Sequence, residues 1–224
     1  MENKILLELD LSTASAMAIE LLIEDAADES IFEEIAKANM NRPEILTLLY
    51  EHPDTPDGVR QAISDVLHVP VKKRAEIAKP QRTQEERTQT ILQKIQKLSV
   101  AERIQLALRG GKEIRSILLR DPNKEVAITV LENPKLTEPE IESVARSRTI
   151  SDEALRRITK KREWMKTYSV ILALATNPKT PPGIALPLLT ELKTRDLALL
   201  EKNKNVAEGI RNTAKKLYRA RKGH

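Results

Sequence analysis

The chain has no cysteine, and in 224 residues it has only six glycines, one Trp, one Phe and three Tyr. Without cysteine there is no disulfide, no thiolate nucleophile and no zinc site of the cysteine-containing types, which suits a reducing compartment. Scarce glycine leaves little room for hairpin turns or for a phosphate-cradling loop. With 2% aromatics against 40% hydrophobic residues overall, the core must be built from Leu, Ile, Val and Ala. Ala and Leu are strong helix formers, and the aromatic signature of strands is missing. No run approaches the ~20 apolar residues of a membrane span. Glu8 and Asp10 interrupt the apolar Ile5-Leu6-Leu7 start, so the N-terminus does not read as a signal peptide. The expectation is a soluble, cytoplasmic, all-α protein.

What is present is charge, unevenly placed. Residues 1–78 hold 7 Lys+Arg against 16 Asp+Glu, a net of −9, and residues 79–224 hold 31 against 17, a net of +14. The chain is an electrostatic dipole along its sequence, suited to partners of opposite sign at its two ends or to head-to-tail pairing with a second copy.

Three segments share a pattern: His52-Pro53-Asp54-Thr55-Pro56, Asn133-Pro134-Lys135-Leu136-Thr137-Glu138-Pro139 and Asn177-Pro178-Lys179-Thr180-Pro181. Asn or His ends a helix and the proline cannot continue it. Thr55, Thr137 and Thr180 are then expected as N-caps, with Pro56 and Pro181 in the first helical position and Glu140 completing a capping box with Thr137. Short helices, apolar on more than one side, precede each corner: Ile45, Leu46, Leu48 and Leu49; Val126, Ile128, Val130 and Leu131; Val170, Ile171, Leu172 and Leu174. After the first corner Val59, Ala62, Ile63, Val66 and Leu67 form one helical face.

The corner prolines lie 81 and 44 residues apart, the first close to twice the period of roughly 40–47 residues typical of helical arrays. On these corners and this period, residues 12–220 resemble the HEAT-like superfamily, including its leucine-rich-repeat-variant branch of bacteria. The resemblance implies an α-solenoid of stacked helical hairpins (HEAT/armadillo-like repeats). It extends in architecture to alkylpurine glycosylases, whose damaged-base site needs more aromatic residues than this chain has.

The pattern is interrupted at residues 79–89, which have no aliphatic side chain. Thr83 with Glu86 and Ser99 with Glu102 have capping-box spacing, Ile91, Leu92, Ile95 and Leu98 form a stripe, and Gly110-Gly111 reads as a stop. The expected organisation is an acidic repeat region at 1–78, a polar linker or exposed helix start at 79–90 and a basic array at 91–224.

No motif points to chemistry. His52, His68 and His224 have no metal partner at helical spacing. Gly110-Gly111-Lys112 lacks the spaced glycine and the Ser/Thr of a P-loop. Glu33-Glu34 and Asp152-Glu153 are adjacent, so they face different sides of a helix. No catalytic residue, metal set or cofactor is identified. The sharpest binding candidates are Arg146, Arg148, Arg156, Lys160, Arg162, Trp164 and Tyr168, a basic ridge with Trp164 and Tyr168 as i, i+4 neighbours if the helix runs on. Against this stands the ordinary role of a lone Trp as core filling. The basic tail Lys215-Lys216-Leu217-Tyr218-Arg219-Ala220-Arg221-Lys222 suits a helix C-terminus as well as a phosphate. The expected function is a non-enzymatic scaffold or adaptor recognising a protein partner through its repeat surface. The alternative is nucleic-acid backbone binding by the basic C-terminal array.

Overall fold

A helix of two to three turns cannot hold itself in water, so a chain that stops its helices this often must pack them side by side. In the computed structural model, which describes residues 10–26, 28–71 and 83–223, there are fourteen α-helices, two 3-10 turns and no strand among those residues. Twelve of the helices have eleven residues or fewer. Among the described residues no helix is long and apolar enough to cross a membrane.

The chain divides into two compact units, Met1–Leu118 and Leu119–His224. The first contains α1 (Ala16–Glu24), α2 (Ser30–Ala38), α3 (Pro43–Glu51), α4 (Asp57–Leu67), α5 (Gln84–Lys97), α6 (Val100–Arg109) and α7 (Lys112–Leu118). The sequence marks 79–90 as a polar linker or an exposed helix start, with the boundary between the acidic and basic regions there. Residues 79–82 lie outside the described residues, and from Gln84 onward the segment is already α5, which packs on α1 inside the first unit. With the division after Leu118 the units carry net charges of −4 and +9.

The hub of the first unit is α1, which touches α2, α3, α5 and α6. Its Ala18, Ile19, Leu21, Leu22 and Ile23 are all buried, as a helix surrounded on several sides requires. Both capping boxes read from the sequence, Thr83 with Glu86 and Ser99 with Glu102, are formed. Ile91, Ile95 and Leu98 are buried while Leu92 faces outward. After α6 ends at Arg109, the chain turns through Gly110 and Gly111 against the end of α1. A Cβ on Gly111 would lie 2.1 Å from the Asp25 carbonyl oxygen, so only glycine fits. The Asp25 carboxylate accepts the Ile114 N–H at 2.8 Å and ties α1 to the first turn of α7. Burial raises the Asp25 pKa above the usual carboxylate value, and the nearby Glu113 adds to this; the Ile114 hydrogen bond and Arg87 offset part of it.

The second unit contains α8 (Lys124–Thr129), which tightens into a 3-10 turn at Val130–Glu132, α9 (Glu138–Arg146), α10 (Asp152–Lys160), a second 3-10 turn at Trp164–Lys166, α11 (Tyr168–Thr176), α12 (Pro182–Leu188), α13 (Thr194–Glu201) and α14 (Glu208–Lys222). Alternate helices pack together: α8 on α10, α9 on α11, α12 on α14. One aliphatic core runs through them, from Ile128 and Leu131 to Ile210 and Ala214.

The corners follow one rule. The carbonyl of residue i accepts the N–H of i+3, and the side chain of i accepts the N–H of i+2. His52 does this with Thr55 and, through Nδ1, with Asp54 at 3.3 Å. Asn133 does it with Leu136 and Lys135, and Asn177 with Thr180 and Lys179. A fourth corner at Asn203, with Val206 and Asn205, repeats the rule without any proline. The Asn177 amide also donates to the carbonyls of Ala145 at 2.7 Å and Ser147 at 2.9 Å, pinning the end of α11 to the end of α9.

Three expectations need correction. Thr137 shares a capping box with Glu140, but Thr55 and Thr180 are not N-caps: Pro56 and Pro181 occupy that position and the helices begin one residue later. The Thr55 hydroxyl points back instead and closes α3 by donating to Leu49 O at 2.6 Å. The buried face of α4 is also rotated. Ala62 and Val66 are exposed, while Arg60, Ile63 and Ser64 are buried. Arg60 is fully enclosed because its guanidinium donates to the carbonyls of Tyr50, His52 and Thr55, the bare end of α3.

Asn177→Ala removes one buried and one part-buried hydrogen bond and a turn bond and is expected to cost about 2–3 kcal/mol in denaturant unfolding, against less than about 1 kcal/mol for Asn203→Ala, whose side chain makes the turn bond alone among the described residues. For Asp25 the raised folded pKa means that ionisation costs more in the folded chain than in the unfolded one. Its contribution to stability is therefore full in acid and is lost as pH rises through the folded pKa. Asp25→Asn, which keeps an acceptor for Ile114, should be more stable than the parent at neutral pH, with the gain vanishing below about pH 4 in a pH series of thermal melts.

Candidate functional site

The helix expected to carry Trp164 and Tyr168 together does not run on. Lys161 takes an extended conformation that ends α10, and Trp164 lies in the separate 3-10 turn. Trp164 is 7% exposed and belongs to the core. Lys161 covers it, with Nζ 4.4 Å from the ring centroid, donating to Leu131 O at 2.5 Å and pairing with Glu132 at 3.3 Å. Arg157 meets the same Glu132 at 3.3 Å. Part of the basic segment is thus consumed in fastening α10 to the turn before α9.

The remaining candidates separate. Arg148 precedes α10, while Lys160 and Arg162 lie at and beyond its other end, about 13 Å away along a nine-residue helix. All three are exposed and make no ion pair among the described residues. Arg156 is also exposed, at 3.9 Å from Asp152. Arg146 and Tyr168 leave this surface altogether and mark the two ends of a groove on another face.

That groove lies between α11 and α13, with the last residue of α9 at one end. It encloses about 200 Å³ and is lined by Arg146, Leu172, Ala173, Thr176, Asp196, Leu199, Leu200 and Asn203. Tyr168, Leu172 and Thr176 stand at i, i+4 and i+8 on α11, and Asp196, Leu199, Leu200 and Asn203 at i, i+3, i+4 and i+7 of a stripe that begins on α13. The Tyr168 hydroxyl in the first turn of α11 donates to the Asp196 carboxylate in the first turn of α13, so the two helices run in the same direction. The Tyr168 phenolic oxygen Oη also accepts the Lys193 N–H at 2.9 Å, and Lys193 Nζ sits 4.7 Å from the ring centroid. Burial, and next the bond to Asp196, hold the Tyr168 pKa above the ordinary phenol value, so at neutral pH the group is a donor and closes that end. Because Asn177 levels the ends of α9 and α11, Arg146 arrives at the opposite end, where it pairs with Glu142 at 2.6 Å on the surface. In the middle Leu199 is 61% exposed, beside the fully buried Leu197 and Leu200.

A second, larger groove of about 700 Å³ occurs at the loops before α8, α10 and α12. Arg120, Lys124 and Lys179 line it and make no ion pair among the described residues. Asp121 and Asp152 line it too, so its charge is mixed. Sequence reasoning missed both grooves. The apolar one left a single local trace, a leucine run on α13 with more leucines than one buried face can take.

Compared with family models, with curated proteins and with solved structures, the chain matches none.

Trp164→Ala is expected to lower stability by about 3–5 kcal/mol by opening a hole in the core. Lys160→Ala and Arg162→Ala should each change it by less than about 0.5 kcal/mol. Chemical denaturation of the three variants separates a packing role for the tryptophan from an exposed one.

Proposed function

We propose that the chain is a non-enzymatic binding scaffold or adaptor that works in the cytoplasm and recognises a protein partner through a HEAT-like repeat surface. The observation that carries this reading is the groove of α11 and α13, an apolar floor crossed by an exposed leucine and closed at its ends by polar side chains. A largely exposed leucine over an apolar floor offers area that a partner would remove from water, and the polar ends set its register. The four corners of one hydrogen-bonding pattern support the repeat reading, since repeats that hold corresponding helices side by side present such surfaces. The resemblance of the corners and their spacing to HEAT-like arrays points the same way.

A second reading is nucleic-acid backbone binding by the basic unit, favoured by Arg120, Lys124 and Lys179 around the larger groove. Asp121 and Asp152 weaken it, because a phosphate chain laid there would meet two carboxylates.

The full-length chain and its Leu199→Glu variant, used as baits in cytosol at ~150 mM salt with and without nuclease, test the two readings. A protein retained after nuclease by the parent and lost by the variant is the expected result. The variant should unfold within about 0.5 kcal/mol of the parent, since the side chain is exposed. Retention that disappears on nuclease treatment and ignores Leu199 would favour nucleic acid.

A further inference from the structure

We infer that the occupant of the α11–α13 groove is an acidic segment presenting one leucine-sized aliphatic side chain, an inference that rests on reading this groove as a protein-binding surface. Its volume of about 200 Å³ lies below the roughly 300–1,000 Å³ of pockets for small organic ligands, and its apolar lining of Leu172, Ala173 and Leu200, with the exposed Leu199 above them, suits one aliphatic anchor. The charges around it are mostly positive: Arg146, Lys193, Arg195 and Lys202 stand against the carboxylates of Asp196 and Glu142. Asp196, the acid inside, is engaged by the Tyr168 hydroxyl. Arg195 and Lys202, one turn to either side of Leu199, are exposed and make no ion pair among the described residues. Among the described residues Arg146 pairs only with Glu142, and the guanidinium itself is exposed, so the pair is worth little and exchanges readily for a partner's carboxylate. The unit that carries the groove has a net charge of +9. An acidic segment is therefore drawn in by the field of the unit and held by its anchor, whereas a basic or neutral one gains nothing from Arg146, Arg195 and Lys202. A phosphate backbone would satisfy the cations but leave Leu199 uncovered.

A displayed library of random dodecapeptides, selected on the full-length chain at ~150 mM salt, tests this directly. The expected result is enrichment of peptides with Asp or Glu flanking Leu, Ile or Met. A synthetic copy of an enriched peptide should bind about tenfold more weakly to Leu199→Glu and to the milder Leu199→Ser, as for an anchor residue. It should also bind more weakly to Lys202→Glu, and a version with lysine in place of its acids should not bind. Circular dichroism of each variant identifies any that fails to fold, and the others then decide. Failure to enrich any peptide, enrichment of basic peptides, or binding indifferent to both Leu199 variants overturns the inference. If the nuclease-resistant partner of the full chain depends on Leu199 while no acidic peptide is selected, the groove remains a protein-binding surface and only its acidic occupant is removed.

Discussion

The second unit depends on a turn in which one asparagine holds three kinds of bond. At Asn177 the carbonyl takes the N–H of Thr180, the side-chain oxygen takes the N–H of Lys179, and the side-chain amide reaches across to the last carbonyls of α9. The first two bonds stop α11 after nine residues and turn the chain. The third satisfies acceptors that a helix C-terminus leaves bare and sets the ends of α9 and α11 level. That alignment brings Arg146 to the end of the groove. At the first corner a histidine replaces the asparagine. Its ring can accept from Asp54 but has no amide to reach outward, and the carbonyls there are taken by the buried guanidinium of Arg60.

Charge is distributed by the same packing. In the first unit the cations of α5 and α6 turn to its acids: Lys94 pairs with Glu20 and Glu24, and Arg109 with Glu34. These pairs bring residues from the basic side of the sequence dipole against the acidic side, so the contrast between the compact units is smaller than that between residues 1–78 and 79–224. The second unit keeps its excess of cations, and among the described residues those without an ion pair are spread over separate places, about α10, about α13 and around the larger groove with Arg120, Lys124 and Lys179, rather than in one ridge. The break at Lys161 is the reason. Had α10 continued, Trp164 would have been carried on the same helix as Arg156 and Lys160; the turn instead drives the indole into the core and spends Lys161 and Arg157 on Glu132.

Features that depend on a few neighbouring residues were legible. The Asn-Pro corners, the capping boxes of α5, α6 and α9 and the apolar inner helices could be read because each is a local hydrogen-bonding or packing pattern. Asn203 escaped because it lacks the proline, although its bonds are the same. Arg60 escaped because a helical wheel places an arginine outside, and only the carbonyls at the end of α3 make an inward position tolerable. The basic candidates were legible as charges but not as a surface, since a break of helix after Lys160 separates residues that a continuous helix would align. Of the groove only the leucine run on α13 was legible: the rest requires α11 and α13 to lie beside one another, a relation between residues nearly thirty positions apart.

A single exposed leucine on a folded surface is ordinary and calls for no explanation. Leu199 differs in what lies beneath it. Leu197 and Leu200 already supply the inward face of α13, so the fold gains little from a third leucine at this position. The side chain stands instead over a floor completed by Leu172 and Ala173 of α11, making the apolar surface continuous across two helices. The cations of α10 have no such continuity; each is accounted for by solvation or by a pair with Asp152 or Glu132. The physical distinction between the two surfaces is therefore not how much charge or apolar area they expose, but whether the exposed groups belong to one connected site, and only around α11 and α13 do they lie on a common floor with defined ends.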